Sequence, residues 1–409
     1  MSLIDRILDG RIHKGSVTIA RPDGSNRSFG KPAAGWPDVV IRINERGAER
    51  RILTNPRLGL GETFMDGAVS VDDDDIMGLV ELVRRNNVWE KGGEIGDPKP
   101  LKRAFKKIMR PFNQMNSLAR SRSNVAHHYD LSNDFYRQWL DEDMQYSCGY
   151  HATPETTLAE AQRAKKAHVA AKLNLQPGNT VLDIGCGWGG LALYIAENFD
   201  VHVTGVTLSK EQHALATARI AERGLEGKVE FVLSDYRDLT GPYDRIVSYG
   251  MFEQVGVPHF LEFFTKVSDL MADDGCMLLH SIGRKGGPGS TARWIRKYIF
   301  PGGYSPALSE TLAEIEKSGL WVTDIEILRI HYAETLRYWD DNFQANRAKV
   351  AAMFDERFCR MWEFYLIVSE YSFRYSKNMN FQIQLSKSVN ALPITRDYMI
   401  EAERKLNSA

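Results

Sequence analysis

Ten residues, Val181 to Gly190 (VLDIGCGWGG), constrain the fold of this chain more than any other stretch. An apolar run ends on Asp183 and breaks into a turn with glycine at 185, 187 and 189, after which a helical pattern opens. Val181, Leu182 and Ile184 read as a buried strand. Lacking a Cβ, the glycines let the backbone turn sharply and come close to a ligand. On its own the pattern serves a nicotinamide, a flavin, S-adenosylmethionine or a purely structural turn.

The next strands narrow that choice. A dinucleotide site wants an acidic residue on the ribose about 20 residues after the glycines, whereas the strand VHVTGV runs into Thr207, Leu208 and Ser209. A nicotinamide fingerprint is therefore incomplete, and Thr207 with the amide of Gln212 can bond a ribose instead. A third strand, VEFVL, ends at Ser234, Asp235 and Tyr236. There a carboxylate can accept from an adenine amine while the aromatic ring packs on the base. The plainer reading of Asp235 and Tyr236 is an ordinary turn.

From about Thr180 to Leu328, TVLDI, VHVTGV, VEFVL, DRIVSYG, CMLLHSIG and WVTDIEIL alternate with helical stretches. This predicts an α/β fold, Rossmann-like, with a mostly parallel sheet, helices on both faces and ligands at the carboxyl ends of the strands. After Ile330 the pattern is helical and strongly aromatic, as suits a core or the wall of a site for a long apolar chain. Residues 1–97 combine short alternating segments, a PDG turn and the helix DIMGLVELVRRN, which predicts a small α+β domain. The acidic run Asp72 to Asp75 reads as the cap of that helix. Residues 98–125 form a basic amphipathic linker, with no acid between Asp97 and Asp130. Such a segment can lie on an anionic bilayer or pack its apolar face inside the protein. Residues 126–409 are left as the catalytic domain.

Composition sets the setting. Cys148, Cys186, Cys276 and Cys359 show no CxxC or CxxH spacing, so neither a disulfide scaffold nor a metal site is expected, and a reducing cytoplasm fits. The net charge of -1 gives no whole-molecule field for nucleic acid. The N-terminus is too interrupted by charge to read as a signal peptide, and no apolar run reaches the ~18 residues of a membrane span.

Polar groups gather at predicted strand ends: Cys148 in QYSCGY, Glu253 in GMFEQVG, His280 and Ile282 in LLHSIG, and Tyr332 in HYAETLRYW. Singly, Glu253 can be a helix cap, His280 a satisfied core histidine and Cys148 a small buried hydrophobe. Emerging together beside a cofactor cleft, they point to chemistry.

At these residues the chain resembles the cyclopropane-fatty-acyl-phospholipid synthases and the related mycolic acid cyclopropane synthases. The likeness runs from Ala126 to Lys387 through HHYDLSNDFY, MQYSCGY, VLDIGCGWGGLA, GVTLSKEQ, SDYRDL, SYGMFEQVG, LLHSIG, IFPGG and HYAETLRYWDDNF, in family order. In the N-terminal third it is looser, and the hairpin-then-helix pattern is also somewhat similar to a sterol-carrier-type lipid-binding domain. The resemblance implies a class I methyltransferase fold and transfer of a methylene from S-adenosylmethionine to the cis double bond of a phospholipid acyl chain. It also implies a bound bicarbonate or carbonate held by Cys148, Glu253, His280, the backbone of Ile282, and Tyr332. The cofactor would meet Tyr146, Ser147, Asp183, Gly185, Gly187, Thr207, Leu208, Gln212, Asp235 and Tyr236. A peripheral enzyme on the inner face of the cell membrane follows as the expected setting, with a homodimer left open. Relatives that give methyl-branched or hydroxymethyl chains share the first step, and a lipid carrier with a vestigial pocket is the rival from another class.

The basic linker generates a direct expectation. Replacing Lys102, Arg103, Lys106 and Lys107 with Gln removes local charge at little change in helix propensity. Sedimentation with anionic vesicles should weaken and become less salt-sensitive; unchanged sedimentation at low salt would favour packing inside the protein.

Overall fold

The computed structural model describes residues 3–86 and 131–408, so the basic linker and the start of HHYDLSNDFY lie outside the described residues. The chain forms two compact units.

The first unit joins the N-terminal residues to 292–299 and 339–376. Its sheet has the order β2-β1-β3-β4, from β1 (Gly15–Ala20), β2 (Asn26–Lys31), β3 (Asp38–Ile43) and β4 (Val69–Val71). The expected hairpin joins β1 to β2, with Arg21 N donating to Ser25 O at 3.0 Å across Pro22, Asp23 and Gly24. Alternation turns Val17 and Ile19 inward against Val39 and Ile43 of β3, and the helix Ile76–Asn86 adds Ile76 and Leu82 to the same core. Asp75 caps that helix, its Oδ1 accepting from Gly78 N at 2.6 Å. The aromatic helix Glu356–Arg374 packs on helices Pro56–Met65 and Ile76–Asn86, with Phe364 and Ile367 in the N-terminal core. The aromatic region that the sequence groups wholly with the catalytic domain is thus divided. Periodicity reveals that such a face is buried, but not which core receives it.

The second unit carries a seven-stranded sheet of order β10-β11-β9-β8-β5-β6-β7. Its strands are β5 (Thr180–Ile184), β6 (His202–Thr207), β7 (Val229–Leu233), β8 (Tyr243–Tyr249), β9 (Met271–Arg284), β10 (Trp321–Leu328) and β11 (Asn378–Ser386). Strands β5 to β9 pair in parallel, while β11 runs antiparallel between β9 and β10. Successive residues feed opposite faces: Val181, Val203, Val247 and Leu278 enter one buried cluster, and Leu182, Val206, Ile246 and Leu279 enter another. Helices such as Gly190–Asn198 cover the first face and Phe260–Leu270 the second. This is the class I methyltransferase architecture, Rossmann-like with helices on both sides of the sheet. Among the described residues no helix is long and apolar enough to cross a membrane.

Gly189 caps the helix Gly190–Asn198 at φ 82°, and a Cβ there would lie 2.4 Å from Phe231 Cζ. Gly178 has the same φ with nothing within 4 Å. Gly178→Ala should therefore cost about 1 kcal/mol of left-handed strain. Gly189→Ala should cost roughly 2–5 kcal/mol, because overpacking adds to the strain. Denaturant melts showing equal losses would refute the packing role of Gly189.

Candidate active site

The strand order reverses at β5: the chain continues outward through β6 and β7, then returns to β8 and β9 on the other side. A cleft opens at the carboxyl ends there, as such a switch point requires. All ten residues expected at the cofactor line it: Tyr146, Ser147, Asp183, Gly185, Gly187, Thr207, Leu208, Gln212, Asp235 and Tyr236. Gly187, at φ 56°, lines the cleft and has no atom within 4 Å of where a Cβ would stand. Thr207 and Gln212 bond each other, the hydroxyl donating to Gln212 Oε1 at 2.9 Å, which leaves the amide NH2 end as donor. The Asp235 carboxylate accepts from Arg237 Nε at 2.9 Å and Nη2 at 2.8 Å, an ion pair that the reading of Asp235 as an adenine acceptor did not include. Asp183 is buried, with Oδ2 lacking a hydrogen-bond partner among the described residues. Burial pushes its carboxyl up to about 7 against the pull of Lys165.

Next to this cleft lies a buried polar cluster. The parallel register of β8 and β9 sets Tyr249 beside His280, and their rings stack at 3.7 Å. The Tyr249 hydroxyl donates to Cys148 O at 2.8 Å. Glu253, in the single turn Phe252–Gln254 after β8, accepts from the backbone N–H of Ile282 on β9 at 2.5 Å. Its Oε2 is buried without a hydrogen-bond partner among the described residues, since the nearby Ser281 hydroxyl donates to Ile282 O. Burial pushes the Glu253 carboxyl up to about 7. These contacts gather four of the five expected residues: Cys148, Glu253, His280 and Ile282. Tyr332 is buried on the first turn of the helix His331–Ala345. One turn on, Thr335 Oγ1 accepts from Gly149 N at 3.0 Å, which fastens that helix beside Cys148. The Cys148 thiol, wholly buried, is pushed far above its ordinary value and donates to Gly149 O, so its contribution is backbone and shape rather than a thiolate.

Three participants escaped the sequence reading. Lys165 is buried in the helix Leu158–Lys172, donates to Gln145 Oε1 at 2.5 Å and Ser147 Oγ at 3.0 Å, and stands 4.8 Å over the Tyr249 ring. Burial and then the neighbouring Lys166 lower it to about 8. Asn380 and Gln382 of β11 lie against the two ring nitrogens of His280. The alternation of Phe381, Ile383 and Leu385 is the signal that could have revealed their strand.

Comparison with known proteins identifies relatives of the chain and of its fold. The family model of mycolic acid cyclopropane synthetase matches residues 116–383. The cyclopropane-fatty-acyl-phospholipid synthase of Escherichia coli K12 is 37% identical over 361 residues, covering 87% of this chain and 90% of that protein. Tuberculostearic acid methyltransferase UfaA1 of Mycobacterium tuberculosis is 39% identical over 372 residues, 86% of this chain and 83% of that protein. Among solved structures, mycolic acid cyclopropane synthase CmaA1 complexed with SAH and CTAB superposes with a TM-score of 0.62 at 36% identity, covering 64% of this chain and 97% of that one.

The raised carboxyl of Glu253 has a measurable sign. The folded state holds this proton more tightly than an unfolded chain, whose glutamate titrates near 4.5. Its stability contribution is full below about 4.5 and is lost as pH rises through about 7. Glu253→Gln stays neutral, so its stability relative to the native chain should rise by roughly 3 kcal/mol between pH 4 and 8. A difference that does not change with pH would contradict the buried-charge account.

Proposed function

Because the chain belongs to the mycolic acid cyclopropane synthetase family, we propose that it transfers a methylene from S-adenosylmethionine to the cis double bond of unsaturated phospholipid acyl chains. The observation that carries this reading is the junction of a glycine-turned cleft at the switch point with a dry polar cluster around Glu253. A carrier needs the first feature at most. The family match and the SAH complex of the CmaA1 neighbour support the cofactor.

S-adenosylmethionine supplies an electrophilic methyl on a sulfonium. An alkene is a poor nucleophile, so the protein must hold it in line with that methyl, and good orientation contributes ~7–11 kcal/mol. Attack leaves a cation on the acyl chain that water would quench, which the buried walls guard against. The rings of Tyr146 and Tyr249, which line the cleft, can stabilise it by roughly 0.5–2 kcal/mol each. Closing the ring then removes a proton from the delivered methyl.

A bicarbonate or carbonate ion supplies the base for that step. The unpartnered Oε2 of Glu253 fits such an ion, because a carboxyl titrating near 7 can donate to an oxyanion instead of repelling it. The Tyr332 hydroxyl completes the hold, while the Ile282 N–H, spent on Glu253 Oε1, and His280, bonded at both nitrogens, position the site around it. The substrate lies in a bilayer, so the enzyme works at a membrane surface, on the cytoplasmic side.

A second reading keeps the first step but diverts the cation to a methyl branch, and the UfaA1 relative favours it. Incubation with cofactor and vesicles of cis-monounsaturated phospholipid separates the two by mass. One added CH2 is expected; two hydrogens more would establish the branched product, and cofactor binding with no mass change would establish a carrier. In bicarbonate-free buffer turnover should fall, by up to roughly the 10²- to 10⁴-fold that a general base contributes. Full activity there would return the proton to Glu253 or His280.

A further inference from the structure

We infer that Lys172 and Gln382 are positioning residues that fix the tautomer of His280, leaving its Nδ1 bare and placing its proton on Nε2. Lys172 is buried, and its ammonium has only donors. Its Nζ donates to Gln382 Oε1 at 2.6 Å, which pins the oxygen end of that amide and turns the NH2 end to His280 Nδ1 at 3.3 Å. An NH2 group can only donate, so Nδ1 must accept. A neutral imidazole carries one N–H, and here it sits on Nε2. Asn380 lies against that nitrogen, its Nδ2 at 2.9 Å and its Oδ1 buried without a hydrogen-bond partner among the described residues. Two donors cannot share one bond. A half-turn of the Asn380 amide brings Oδ1 to the Nε2–H and satisfies both atoms at once.

The outer side of Lys172 is equally constrained. It bonds Glu326, whose Oε2 lies 2.8 Å from His168 Nε2, while His168 Nδ1 lies 3.0 Å from Glu403 Oε2. Against burial, hydrogen bonds to Glu326 and Glu403 push His168 up and His168 and Lys172 hold Glu326 well below the usual carboxylate range, so Lys172 is anchored on Glu326 while it holds Gln382. His280 is kept neutral by burial and by the positive charges of Lys165 and Lys172. Its Nε2–H faces Asn380, which pairs with Ile282, the residue whose N–H bonds Glu253. His280 therefore has both ring nitrogens engaged within the protein and acts on the site through Asn380, not as a lone pair suited to taking a proton. That consequence rests on the function proposed above; the tautomer itself does not.

The test is the ¹⁵N spectrum of the full chain labelled on its ten histidines, with His280 assigned by its loss in His280→Gln. At neutral pH the native chain should show Nδ1 at the shift of a bare ring nitrogen and Nε2 at that of a protonated one. Gln382→Leu should populate the other tautomer and lower kcat about tenfold with KM for the cofactor unchanged, whereas Lys172→Arg, still a pure donor, should keep the native pattern. A proton on Nδ1 in the native chain overturns the inference, as does a Gln382→Leu spectrum identical to native. Should Gln382→Leu fail to fold, the native spectrum alone decides. Native tautomer without lipid turnover would refute the proposed function and leave this inference standing.

Discussion

The hydrogen bond from the Ile282 N–H to Glu253 holds the candidate site together. Parallel pairing fixes β8 and β9 only as far as their ladder runs, with Tyr249 opposite His280. Beyond that rung the chain after β8 turns away, and nothing in the sheet dictates where residue 253 goes. Accepting the N–H of Ile282 brings the carboxyl back over the end of β9. Around this one bond the Tyr249 and His280 rings stack, and the Tyr249 hydroxyl reaches the backbone carbonyl of Cys148.

The same dryness governs charge. Burial raises Asp183 and Glu253 to about 7 and lowers Lys165 to about 8, so three groups that titrate far from neutral pH in water titrate close to it here. A cation formed on a hydrocarbon chain survives only where water and strong nucleophiles are absent. A site that suppresses carboxylate charge and keeps the Cys148 thiol protonated meets that demand. The physical case for a held inorganic base is the unpartnered Oε2 of Glu253, which can donate to an oxyanion while its carboxyl is neutral.

Much of this was legible in the sequence because it depends on local pattern. The run Val181 to Gly190 dictated strand, turn and helix, and six of the seven strands of the large sheet were visible as apolar segments. The ten cofactor-side positions converge on one cleft because strand ends in a parallel sheet must. What escaped was set by tertiary contact. Strand β11 is rich in Asn and Gln, which are poor strand formers, and its polar face is buried against His280, Lys172 and Glu326. Lys165 carries no sequence signal of its own, and only the fold reveals that it is buried over Tyr249. The destination of the aromatic helix Glu356–Arg374 was hidden for the same reason: its periodicity names a buried face without naming the partner.

Methylene transfer with loss of one methyl hydrogen is the central claim, and isotopic labelling tests it directly. Cofactor carrying a trideuterated methyl group is supplied with vesicles of cis-monounsaturated phospholipid, and the acyl chains are analysed for retained deuterium. Ring closure through a base in the site predicts that the added carbon keeps two of its three deuterium atoms. An added carbon that keeps all three would contradict the account, because the proton whose removal the Glu253 cluster is proposed to serve would never have left.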